Sequence, residues 1–420
     1  MTERPNGGGR RQKPGPGARP TRSRRSQGKP RQDVAPKTPP ADARRTAVAA
    51  LVRIDTEGAY ANLVLPGVLA RSGLPERDRA FVTQLVYGTT RLRRACDWFV
   101  DRFTHGELDP EVRAALRMGV FQLRFLGTPP HAAVSATVAV VPRRARGLVN
   151  AVLRRVSEAD DAWPSDAVRL SYPDWIADSL TRDLGADRAA GALEAMNGAA
   201  SVSERADGYI QDEASQWVAD TVGAGPGDRV LDLCAAPGGK ATALAGTGAW
   251  VVAGDLRPAR AGLIAANAAR LGAQRLETPG DPGGSVSVMV ADGTHPPFAP
   301  RSFDRVLVDA PCSGLGSLRR RADARWRIDE NAPARLAEIQ TRLLDSAADL
   351  VVPGGSLIYS VCTLTSEETI GVAGRFAASH PDWAAMEVPG SPWEPWGSGA
   401  ILLPQAAGTD GMALFVWRAP

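Results

Sequence analysis

From residue 213 to the C-terminus, short apolar runs alternate with helical stretches, and this alternation constrains the fold more than any other feature of the chain. The runs fall at 229–233, 250–254, 287–290, 305–308 and 356–361, with a last one at 412–418. Helices fit between them at 240–245, 258–271, 333–351 and 366–379. Apolar strands separated by helices predict an α/β fold built on a doubly wound parallel sheet. In such sheets ligands bind at the carboxyl ends of the strands. The residues just after each run are therefore the candidates for chemistry.

Upstream the pattern changes. Residues 42–160 show only helical spacing, at 43–54, 76–93, 110–126 and 146–157, and predict an all-α domain. Asp109-Pro110 marks a helix start, and Gly127-Thr-Pro-Pro130 stops a helix. Residues 161–212 read as a connector, with short helices at 173–184 and 188–196 and a loop at 198–208. The α/β domain then runs over 213–420.

Residues 1–40 hold 11 Lys/Arg against two acids and almost no bulky apolar residues. Such a composition cannot offset its ordering entropy, so 1–41 is expected to be a disordered basic tail. It reads either as an arm for nucleic acid or as a solubilising segment. No apolar run approaches the roughly 20 residues of a membrane span. The N-terminus lacks the apolar stretch of a secretory signal. Four cysteines without a C-x-x-C pair argue against a disulfide scaffold or a zinc site. A cytoplasmic monomer without metal is expected. The four histidines, His105, His131, His295 and His380, are scattered and read as structural or surface residues.

After the first strand comes Asp232-Leu-Cys-Ala-Ala-Pro-Gly-Gly-Lys240. Small residues and paired glycines let backbone N–H groups approach a ligand. The turn is not a phosphate-binding P-loop, because Cys234 and Ala241 stand where glycine and Ser/Thr are required. Asp255, Asp292 and Asp309 follow the next three strands. Asp255 lies where an acid binds ribose hydroxyls. With Asp232, these acids suit a ligand with a ribose, an amine and an adenine edge but no phosphate, a description that S-adenosylmethionine fits. Lys240 is the single lysine past residue 37, in a chain that otherwise uses arginine. That bias makes a specific role for its compact ammonium the better reading.

Cys96 sits in a helical run and reads as core, and Cys234 lies within the turn. Cys312 and Cys362 each end a strand on the expected ligand edge. Two thiols beside a methyl donor suit methylation of cytosine carbon 5. A thiolate adds at carbon 6, the resulting enamine takes the methyl group, and a base then removes the carbon 5 hydrogen. Asp309 is the candidate carboxyl for sharing a proton with ring nitrogen 3. Between the cysteines, Arg319, Arg320, Arg321, Arg325 and Arg327 surround Trp326. That stretch reads as an RNA contact, with guanidinium groups on phosphates and a base on the indole, or else as a solvated helix face.

Cys-Ala-Ala-Pro-Gly-Gly-Lys240, Asp-Ala-Pro-Cys-Ser-Gly314, the following Arg-x-x-x-Arg-Trp326 and Tyr-Ser-Val-Cys-Thr363 resemble the RNA 5-methylcytosine methyltransferases of the Nop2/Sun family, in its bacterial RsmB-like branch. Arg77-Asp-Arg-Ala-Phe-Val-Thr-Gln-Leu-Val-Tyr-Gly88, Pro-Pro-His-Ala-Ala-Val134 and Leu-Val-Asn-Ala-Val-Leu-Arg154 resemble the family's NusB-like domain. The resemblance implies a Rossmann-like class I methyltransferase fold over 213–420 behind a NusB-like RNA-binding domain over 42–160. It implies Cys362 as nucleophile and Cys312 as the residue that assists product release. The implied donor pocket takes in Cys234, Ala235, Ala236, Pro237, Gly238, Gly239, Lys240, Asp255, Arg260, Asp292 and Asp309.

Two departures stand out. Val361 replaces the threonine more usual before the nucleophile, and the stretch 196–211 is too short for the family's small RNA-contacting subdomain. The expected activity is S-adenosylmethionine-dependent methylation of cytosine carbon 5 in 16S rRNA. The alternatives are the same reaction on tRNA, or an RNA-binding factor whose methyltransferase fold is vestigial.

Overall fold

The computed structural model describes residues 42–273 and 284–420, so the expected tail at 1–41 lies outside the described residues. The first helix, Ala43–Thr56, starts where the Asp42 carboxylate accepts from the N–H groups of Arg44 and Arg45. Those donors have no partner within the helix, so the cap sets its start. Asp109 does the same for Pro110–Val120 through the Glu111 N–H at 3.0 Å. That helix continues as a wider π-turn over Phe121–Phe125, as the run at 110–126 predicts.

The run at 76–93 divides at Leu92 into Glu76–Arg91 and Arg93–Asp101, and Arg146–Glu158 forms close to its expected bounds. Two helices missing from the sequence reading carry prolines that resemble breakers. In Ala61–Arg71, Pro66 stands inside the helix, and burial of Ala61, Val64 and Leu65 outweighs the lost hydrogen bond. In Pro130–Val140 the proline occupies the first turn, where its missing N–H costs nothing. Val82, Leu85, Leu116, Met118 and Leu153 lie fully buried in the core of this helical part.

The α/β part is a nine-stranded sheet. Its strands are β1 (Arg229–Asp232), β2 (Trp250–Asp255), β3 (Ser285–Val290), β4 (Phe303–Asp309), β5 (Val351–Val361), β6 (Ala384–Ala385), β7 (Glu394–Trp396), β8 (Gly399–Leu402) and β9 (Met412–Arg418). The order is β3-β2-β1-β4-β5-β9-β8-β7, with β6 also on β9. Strands β1 to β5 are parallel, whereas β6 to β9 pair antiparallel. The expectation of a parallel sheet is therefore corrected to a mixed one. A return through the short helix Pro404–Ala407 brings β9 back beside β8 and β5 in the opposite sense, so no long crossover connection is needed.

Helices Gly239–Ala245, Pro258–Arg270, Ala332–Ala348 and Ile370–Ser379 occupy the connections. The expected helix ends at 351 and 366 are corrected, since Val351 already belongs to β5 and the residues before Ile370 form a turn.

Register then places chemistry. Asp232 pairs opposite Ala253, Asp309 opposite Ser360 and Val361 opposite Ala413. The parallel strands thus end on one edge, and their loops converge there. In the connector, helices Asp174–Leu184 and Ala186–Ala195 turn at Gly185. Leu180, Leu184 and Leu193 share a core with Leu315, Leu318 and Leu364, which lie in the loops after β4 and β5.

Candidate active site

A cleft of about 330 Å³ opens over the ends of β1, β4 and β5, and its lining includes Tyr209, Ile210, Lys240, Asp309, Arg321 and Cys362. Of the expected donor residues, Ala235, Ala236, Pro237, Gly239, Lys240 and Asp309 line it. The turn is set by Gly238, at φ +105°, where a Cβ would stand 3.1 Å from Ile264 Cα. Only glycine lets helix Pro258–Arg270 press this closely on the loop. Arg260 braces the same loop, donating to Asp255 Oδ2 at 2.9 Å and to the Ala236 carbonyl at 2.9 Å. Asp255 also accepts from the Arg257 N–H. Asp292 is exposed, and its Oδ1 accepts from the Thr294 N–H and hydroxyl. Those bonds hold its carboxyl below the usual range. The Cys234 side chain packs towards the core, and burial raises its thiol pKa.

Lys240 is buried and bonds Asp309 Oδ2 at 2.7 Å, while the Ser360 hydroxyl donates to Asp309 Oδ1 at 2.7 Å. Burial alone would lower the ammonium pKa, but Asp309 more than offsets it and Lys240 ends above its ordinary value. Asp232 is fully buried, and among the described residues neither of its carboxyl oxygens has a hydrogen-bond partner. Burial, and then the charge of Asp309, pushes its carboxyl up to about 7, with Lys240 opposing.

This orphaned acid fits S-adenosylmethionine, whose ammonium and sulfonium are cationic, and Asp255 suits the ribose hydroxyls. It also makes a prediction. The unfolded chain loses this proton near 3.8 and the folded chain near 7. Folding therefore takes up a proton between those values, and the group costs stability increasingly as pH rises through that window. Ligand-free Asp232→Asn should be more stable than wild type in urea. The gap should widen from about pH 4 to 7, reach a few kcal/mol and then stay constant. A gap independent of pH would show that another group is responsible.

The loops after β4 and β5 bring Cys312 Sγ within 3.3 Å of Cys362 Sγ. Gly316 makes this possible: its N–H donates to the Cys362 carbonyl at 3.0 Å, and a Cβ there would stand 2.1 Å from the Gly411 carbonyl oxygen. The two thiols differ in acidity. The hydrogen bond from Cys312 lowers Cys362 against the opposing effect of burial, and Arg321 lowers it further. The same bond, with burial, raises Cys312. Cys362 therefore ionises first, and Cys312 keeps its proton.

The arginine stretch is corrected. It is a run of turns around a short 3₁₀ segment, Ala324–Trp326, rather than a helix face. Arg325 is fully buried, stacks 3.9 Å over Tyr172 and donates to the Ser171 carbonyl and Asn197 Oδ1. Trp326 Nε1 donates to the Thr90 carbonyl at 2.7 Å. Arg327 bonds the carbonyls of Gly58 and Ala59. Arg319 bonds the Gly408 carbonyl, and Arg320 pairs with Asp212 and Asp410. Trp326 and Arg327 thus tie this stretch to the helical part, Arg325 ties it to the connector, and Arg319 and Arg320 tie it to the loop before β9 and to Asp212. Arg321 alone of the six is exposed and makes no side-chain hydrogen bond to the described residues.

Sequence reasoning missed several neighbours. The short stretch before residue 211 folds as a small hairpin, with Glu204 bridging Ile210. Arg205 bonds the Gly239 carbonyl and Thr242 Oγ1, so the hairpin seals the donor loop. Asp410 lines the cleft, and burial together with Asp212 pushes its carboxyl up to about 6. Glu368 lies beneath both cysteine loops. Its only sequence signal is a paired acid in Thr363-Leu-Thr-Ser-Glu-Glu368, which reads as an ordinary helix start. Among the described residues no group of three or more His, Cys, Asp or Glu could hold a metal ion, and no helix is long and apolar enough to cross a membrane.

Residues 221–416 match the family model described as 16S rRNA methyltransferase RsmB/F, and residues 41–158 match the NusB family. A ribosomal RNA small subunit methyltransferase B of Thermus thermophilus is 37% identical over 401 residues, covering 88% of this chain and 95% of the relative. A putative methyltransferase of Mycobacterium tuberculosis is 36% identical over 420 residues, covering 82% and 89%. The crystal structure of PH0851 superposes with a TM-score of 0.71 at 21% identity, over 90% of this chain and 99% of that one, a likeness of fold.

Proposed function

Because the chain belongs to the RsmB/F methyltransferase family, we propose that it methylates carbon 5 of a cytosine in small-subunit ribosomal RNA through a covalent bond to Cys362. It is an S-adenosylmethionine-dependent methyltransferase, and the bound cofactor supplies an electrophilic methyl group. The observation that carries the proposal is the pair of thiols 3.3 Å apart, with opposite shifts in acidity, beside the cleft that Lys240 and Asp309 share.

Cys362, as thiolate, adds to carbon 6 of a cytosine that has left its stack. Electron density moves into the ring and makes carbon 5 nucleophilic. Asp309 shares a proton at nitrogen 3, and Lys240, 2.7 Å from Asp309, keeps a cation beside the developing charge. Once Cys362 is bonded to carbon, its charge and its hydrogen bond no longer hold the proton on Cys312. Cys312 would then lose its own proton to solvent and, as thiolate, take the carbon 5 hydrogen; the electron pair left behind re-forms the carbon 5–carbon 6 double bond and expels Cys362 as thiolate.

The helical part and Arg321 would hold the RNA, and the sealed donor loop supports an active enzyme despite the short connector. Transfer of tritiated methyl from S-adenosylmethionine to unmodified 30S subunits, 16S rRNA and tRNA, followed by nucleoside analysis, tests this directly. The expected product is 5-methylcytidine from the ribosomal substrates. Label on tRNA alone, or on any other nucleoside, would replace the reading.

A further inference from the structure

Glu368 is fully buried, and no cation pairs with it among the described residues. Its partners are neutral donors. Oε1 accepts from the Ser313 N–H at 2.8 Å and from Gln340 Nε2 at 3.1 Å. Oε2 accepts from the hydroxyls of Ser313 at 2.5 Å, Thr365 at 3.0 Å and Thr363 at 3.2 Å. Ser313 is the residue after Cys312, and Thr363 is the residue after Cys362. The same Gln340 Nε2 also bonds the Pro311 carbonyl at 2.9 Å, just before Cys312. The Tyr359 hydroxyl fixes Glu368 from the other side, donating to its carbonyl at 2.6 Å.

Burying a carboxylate without a counter-ion is costly unless each lone pair is satisfied. Here five neutral donors converge on the two oxygens, so the carboxylate is satisfied without a cation. What the carboxylate adds is geometry: one planar group receives donors from two loops that enter on separate strands.

We propose that Glu368 is a positioning residue for the thiol pair, its carboxylate clasping the turn after Cys312 to the turn after Cys362 and so setting their separation. This rests on the roles given above to the two cysteines. Every neighbour donates, so glutamine, which turns an N–H₂ towards one set of donors, cannot substitute. The carboxylate also faces Cys312 with negative charge, which helps that thiol keep its proton.

The test uses the full-length chain carrying Glu368→Gln or Thr365→Val. The first readout needs no RNA: alkylation of Cys362 and of Cys312 by iodoacetamide at pH 7, resolved by peptide mass mapping. In wild type Cys362 reacts first. In Glu368→Gln that lead should shrink about tenfold, because the stabilising thiol–thiolate bond is lost.

The second readout is steady-state methylation. Here kcat should fall about 100-fold, with the KM for RNA within about threefold and S-adenosylmethionine affinity unchanged, as misplacement of a reacting group predicts. Thr365→Val, which removes one hydroxyl, should move both readouts the same way by a smaller factor, and it decides the matter if Glu368→Gln does not fold. A folded Glu368→Gln with wild-type alkylation preference overturns the proposal, whatever its turnover. Absence of methylation by the wild type would instead strike the proposed function and leave the alkylation result standing alone.

Discussion

Replacing Cys362 by alanine should reduce methyl transfer by about 10⁴-fold or more, to the background of the assay, since Cys312, the other thiol at this edge, does not line the cleft. Three features converge on this residue. It follows β5 at the ligand edge, lines the cleft, and holds its negative charge against Cys312 and Arg321. The variant should fold normally, because the thiol is small and the loop is held by Gly316 and Glu368 rather than by the sulfur. S-adenosylmethionine affinity should therefore be unchanged, which separates a lost nucleophile from a lost pocket. Cys312→Ala should behave differently. On the mechanism proposed above it keeps the group that forms the bond and loses the group that lets it break, so a covalent RNA–protein species should accumulate and survive denaturing electrophoresis. A Cys312→Ala variant that turns over normally would assign release to another group.

The second large effect is on stability. Arg325→Ala should lower it by about 2–4 kcal/mol, read from the urea midpoint. The substitution strips donors from the Ser171 carbonyl and Asn197 Oδ1, leaves the Tyr172 ring without its stacked partner and opens a cavity in the seam. RNA affinity measured on the folded protein should keep its salt dependence. Arg321→Ala should show the opposite pattern. Stability should stay within about 0.5 kcal/mol, as for most surface changes. The slope of log K against log salt should fall by about 1 if Arg321 meets one phosphate. Cys362 should also become harder to ionise, since Arg321 helps hold its charge. Equal salt dependence in the two variants would show that the seam and the substrate surface are not separated in this way.

The contrast between these two arginines marks where the sequence could be read. Strands β1 to β5 were legible because buried parallel strands are apolar on both faces, and topology then fixes which residues follow them. Cys312, Cys362 and the acids after the strands came from that rule. Strands β6 to β8 were not legible. Ala384–Ala385 is two exposed residues, Glu394–Trp396 contains a proline, and both are held by pairing with segments their own composition does not announce. The arginine stretch misled for a related reason. Its composition matches a nucleic-acid surface, but the carbonyls that bind it belong to Gly58, Thr90 and Ser171, all more than 150 positions away. Glu368 was invisible for the same cause, because the donors that define it lie on other loops.

The seam also bears on how this protein can be divided. The family matches at 41–158 and 221–416 look like two transferable modules. Yet the segment linking the two cysteine loops places the Arg327 guanidinium on carbonyls of the helical part and that of Arg325 on a carbonyl of the connector. A catalytic fragment beginning near residue 200 would release Arg325, Trp326 and Arg327 into water and free the loop that carries Cys312. Grafting another domain in place of the first would have the same effect on Trp326 and Arg327 unless it brought the carbonyls of Gly58, Ala59 and Thr90 with it. The exchangeable unit is therefore larger than either module: the boundary of the catalytic machinery runs through the helical part.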